Sequence, residues 1–89
     1  MSAALPEANP EIERARRDVR EAEAFFLAKL QSIVGDMSGL TPGDDEFDYF
    51  IPVPASRLHE LSPRISDLQL EVQERFGFPL SAMPIPFAA

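Results

Sequence analysis

Apolar residues recur along the first third of the chain at helical spacing. Ile12, Ala15, Val19, Ala22, Phe26, Leu30 and Ile33 follow one another at intervals of three or four. Asn9 can cap this stretch, and Pro10 suits a first helical position, where no N–H is needed. Glu11 and Glu13 stand where the positive end of a helix attracts carboxylates, and Gly35 stops the run. The spacing predicts a helix over 10–34, a rod of roughly 37 Å. Glu13 four residues before Arg17, and Arg20 beside Glu23, add ion-pair support. A second stripe, Leu58, Leu61, Ile65, Leu68, Val72 and Phe76, ends at Gly77 and predicts a helix over 56–76. Pro63 interrupts it, so either one helix kinks there or Ser62 caps a new one with Pro63 first.

Between and after these stripes the period changes. Phe47, Tyr49, Ile51 and Val53 alternate on one face, which predicts a strand over 47–53. An extended tail follows over 78–89, with a weaker strand signal in Leu80–Phe87. Strand, helix and strand in that order make a βαβ-like unit, with parallel strands and a right-handed crossover. The expected fold is a small α-β-α-β protein of the α+β class, helix-dominated, its long N-terminal helix packed on that unit. Residues 1–9 are expected as a flexible N-terminus, 10–89 as a single domain and 35–46 as an acidic loop.

The prolines bear on this reading. Pro52 and Pro54 remove N–H donors from one edge of their strand, and Pro84 and Pro86 do the same on theirs. An edge without donors is protected from a new neighbour, so these strands can pair with each other and with little else. The competing reading is polyproline-like extended chain without a ladder.

Composition narrows the chemistry. The 89 residues are 45% hydrophobic, enough for a folded core, and contain no cysteine. Disulfides, thiolate metal sites and a cysteine nucleophile are therefore excluded, and a single histidine, His59, makes no metal cluster. At this size one core supplies only ~3–5 kcal/mol, so oligomerisation or a partner is the expected supplement. The longest apolar run, Ala24 to Ala28, is far short of the ~20 residues of a membrane span. The start of the chain has no basic flank and no apolar run to make a secretory signal. The sequence thus points to a soluble, cytoplasmic protein that needs no membrane.

Net charge is −7, and residues 35–55 hold five acids and no base. Arg14, Arg16, Arg17 and Arg20 are interleaved with Glu11, Glu13, Asp18, Glu21 and Glu23, whereas nucleic-acid binding needs an uncompensated basic stripe. No nucleic-acid partner is expected.

One constellation carries catalytic promise. Glu46 and Asp48 stand two apart at the start of a strand, with their carboxylates to one side. Glu46-Phe47-Asp48 running into Tyr49-Phe50-Ile51, then a helix ending Glu74-Arg75-Phe76-Gly77, then an extended segment, resembles the strand–helix–strand part of small nucleotidyltransferases. The resemblance implies a divalent metal on Glu46 and Asp48. Glu46 replaces the expected Asp, the Gly-Ser turn before the pair is missing, and no residue after Glu74 is acidic. A solvated acidic loop leading into a strand is the preferred reading, and no cofactor is expected.

The favoured function is non-enzymatic: an acidic interaction or assembly module that self-associates or docks on a protein partner through apolar helix faces. Ile12, Val19, Phe26, Leu30 and Ile33 would carry the contact, with Phe25 and Leu27 widening the face. That widened face is either covered by the strands and tail or forms a subunit interface. A further alternative is an antitoxin or inhibitor whose acidic segment covers a basic site.

Overall fold

The computed structural model describes residues 10–45 and 47–88. The expected flexible segment 1–9 lies outside the described residues. The first helix, α1, spans Pro10–Val34, the bounds expected of it, and Asn9, its expected cap, lies outside the described residues. Gly35 ends it at φ +86°, a left-handed conformation that L side chains resist, and its N–H donates to the Gln31 carbonyl at 2.8 Å.

The chain then forms a short strand, β1 (Thr41–Pro42), inside the segment expected as loop. β2 (Asp48–Pro54) begins one residue later than its alternation predicts. A 3₁₀ turn over Ala55–Arg57 leads directly into α2 (Leu58–Phe76). α2 runs through Pro63 as one helix, because Leu61 and Ile65 on either side of the proline are both buried and pin both turns to the core. Gly77 closes it at φ +82°, its N–H donating to the Gln73 carbonyl at 2.9 Å. The tail is a true ladder strand, β3 (Ser81–Phe87), not solvated polyproline.

The sheet has the order β1-β2-β3. β2 and β3 are parallel over their whole length, from Asp48 opposite Ser81 to Pro54 opposite Phe87, and α2 is the crossover between them. β1 pairs antiparallel, with Thr41 opposite Phe50 and Pro42 opposite Tyr49. Two glycines permit that close return. A Cβ on Gly43 would meet the Asp48 Cβ at 2.8 Å, and one on Gly39 would meet the Pro52 ring at 2.6 Å.

The two helices cover one face of the sheet. Phe26 and Leu30 of α1, Leu61, Ile65 and Val72 of α2, Ile51 and Val53 of β2, and Leu80 form the fully enclosed centre of the core. Alternation places Tyr49, Ile51 and Val53 of β2 and Ala82 of β3 on this covered side. α1 buries nothing before Ala22, and Pro10–Asp18 are exposed all round. No helix among the described residues is long and apolar enough to cross a membrane.

Candidate functional site

The helix-face residues expected to carry a contact are divided by the structure. Phe26 and Leu30 have no exposed surface and belong to the chain's own core, so they have nothing left to offer a partner. Phe25, Leu27 and Ile33 are half-buried against that core. Phe25 is covered by α2: its ring lies 5.4 Å from the Phe76 ring, and the Arg75 guanidinium sits 4.8 Å from its centroid. The widened face of α1 is thus largely covered from within the chain. Val19 is half-buried, and Ile12 is 42% exposed on the uncovered start of α1. An open groove lies there between Ala15, Val19, Glu23 and Phe47.

Of the carboxylate pair, Glu46 lies outside the described residues. Asp48 accepts a 2.6 Å hydrogen bond from the Ser81 hydroxyl, which joins the first residues of β2 and β3. Among the described residues no cluster of three or more His, Cys, Asp or Glu side chains could hold a metal ion. His59 is exposed at the start of α2.

Apart from Ile12 on α1 and Leu70 on α2, the large apolar side chains left exposed among the described residues lie on the other face of the sheet. Side chains alternate across a strand, so opposite Ile51, Val53 and Ala82 the sheet presents Phe50, Pro52 and Pro54 from β2, with Met83, Ile85 and Phe87 from β3. Met83 is 58% exposed, Ile85 41% and Phe87 45%. Asp48 at one end is the only ionisable side chain among the described strand residues of this face.

A signal for this face exists in the sequence. Phe50 is aromatic and out of phase with Phe47, Tyr49, Ile51 and Val53, and in Ser81–Phe87 apolar residues occupy both alternating sets. Near-continuous apolar strands mark parallel sheets covered on both faces. Here helices cover one face and no described segment covers the other.

No known family model, no curated protein and no solved structure matches this chain significantly.

Proposed function

We propose that the protein is a small acidic assembly module that pairs with a second copy of itself across the open face of its sheet. The observation that supports this is the run of exposed Met83, Ile85 and Phe87 beside Phe50 on a parallel pair of strands covered on one side only. Charge favours a like partner at this place. A chain of net charge −7 repels its own copies over most of its surface, but beyond Asp48 the strand residues of this face carry no charge to oppose. Two such faces can stack at the usual sheet-to-sheet distance of about 10 Å, interleaving their side chains.

Sedimentation equilibrium across a wide concentration range tests the reading. The native protein should move from monomer to dimer as concentration rises, and Ile85→Asp should hold it at monomer mass with its helical signal intact. A native chain that stays monomeric at millimolar concentration overturns self-pairing. A dimer that survives Ile85→Asp places the contact elsewhere, with the Ile12 and Val19 stripe as the next candidate.

A further inference from the structure

The backbone of the sheet carries a second message, independent of what covers its face. Within a strand the N–H and C=O of one residue point to the same side, and successive residues alternate. Two backbone bonds therefore orient the whole sheet. The Ser81 N–H donates to the Phe47 carbonyl at 3.0 Å, so odd-numbered residues of β3 face β2, and Ala82, Pro84 and Pro86 face outward. The same bond sends Asp48, Phe50, Pro52 and Pro54 toward the β1 side. The Gly43 N–H donates to the Asp48 carbonyl at 2.8 Å, so Gly43 and Thr41 face β2, and Pro42 faces outward.

All five prolines in the strands thus stand where the missing N–H would have pointed away from a ladder partner. On β3 the outward positions are Ala82, Pro84 and Pro86. The prolines have no donor, and the Ala82 N–H is already taken by the Gln69 side-chain oxygen at 2.9 Å. On β1 the outward position is Pro42. Beyond the reach of β1, the side of β2 ends in Pro52, against which Gly39 lies, and Pro54.

We infer that the sheet is sealed against strand addition at both edges, so that a partner meets this protein across a face and not along a strand. The outward carbonyls of Ala82, Pro84 and Pro86 can accept from water, but an incoming strand would find no N–H for its own carbonyls, and each would be buried unpaired. An extended peptide that binds by lengthening a sheet is the class of partner this edge refuses. Sealing suits a chain with an exposed apolar sheet face, because a sheet that is both sticky on its face and open at its edge grows without limit.

Restoring the donors tests the inference. Pro84→Val with Pro86→Val supplies two outward N–H groups on residues that favour strands, and Pro79→Val removes a proline outside the ladder as a control. Light scattering and an amyloid-reporting dye are followed over time at matched concentrations. The double variant should build species of steadily rising mass and dye response, at a rate about tenfold higher for each donor restored. The native chain and Pro79→Val should not. With the β1 edge still sealed, β3-to-β3 pairing alone stops at two copies and grows further only by alternating with pairing across the face. Adding Ile85→Asp to the double variant, which should then stop at a dimer, therefore separates this result from the pairing proposed above. A folded double variant with the native mass distribution overturns the inference, as does equal growth in Pro79→Val or in the native chain. If circular dichroism shows the double variant unfolded, the single variants Pro84→Val and Pro86→Val are read by the same criteria.

Discussion

The Tyr49 hydroxyl of β2 donates a 3.0 Å hydrogen bond to the Glu23 carboxylate of α1, while its ring stacks 6.1 Å from the Phe26 ring. This is the point at which the sheet takes hold of the long helix. It lies one turn after the last fully exposed stretch of α1, where burial of the helix begins at Ala22. Tyr49→Phe keeps the stacking but leaves a part-buried carboxylate without its donor. The expected cost is about 1 kcal/mol, read as a lower denaturation midpoint with an unchanged slope.

The same contact sets an alkaline limit. Burial of the phenol, and then the hydrogen bond and negative charge of Glu23, raise the Tyr49 pKa above its ordinary value. A folded-state pKa above the unfolded one means a contribution that is complete below about pH 10 and lost as pH rises through the folded value. Above pH 10 the native protein should therefore lose stability faster than Tyr49→Phe. Denaturation midpoints of both chains across that range check it, and parallel curves would show that folding does not raise the Tyr49 pKa.

Core and face should respond oppositely to substitution. Leu30→Ala opens a cavity at a position with no exposed surface and should cost roughly 2–5 kcal/mol. Met83→Ala, at 58% exposure, should change monomer stability by no more than about 0.5 kcal/mol. Thermal melts at low concentration give both values, and a large loss from Met83→Ala would mean that the face is supported from within the chain.

Backbone conformation sets a fourth test. Gly77 holds φ +82° with open space where a Cβ would go, so Gly77→Ala pays only for the left-handed backbone, about 1–2 kcal/mol. Gly39 is different. Its backbone is not in that region, but a Cβ there would lie 2.6 Å from the Pro52 ring. Gly39→Ala should destabilise the native chain and cost much less when Pro52 is also Ala, a coupling that a double-mutant cycle measures.

Much of the architecture was legible in the residues, because caps and periodicity agreed. Asn9-Pro10 and Gly35 bracket a single apolar stripe, and the helix between them has the expected bounds. The parallel pairing of the last strand was legible in part. Pro84 and Pro86 leave β3 one usable edge, but Pro52 and Pro54 close only the far end of their edge of β2, and β1 pairs on the rest of it, where a single neighbour was expected. β1 was not legible. Two residues carry no period, and the signal lay in Gly39 and Gly43, whose missing side chains matter only once Pro52 and Asp48 are beside them. The fate of Pro63 was likewise decided at a distance, by the burial of Leu61 and Ile65 together. The candidate site was the least legible part. Phe26 and Leu30 sit on the strongest stripe in the chain, and the strongest stripe is what a small core consumes first. The open surface fell instead to Phe50, Met83, Ile85 and Phe87, because two helices suffice to cover one side of a sheet and not both.

The uncovered beginning of α1 has a practical corollary. Nine residues of helix, about 13 Å, add drag without adding bulk. A gel-filtration column sorts molecules by Stokes radius, so a lone copy should elute ahead of a compact globule of its weight and imitate a pair.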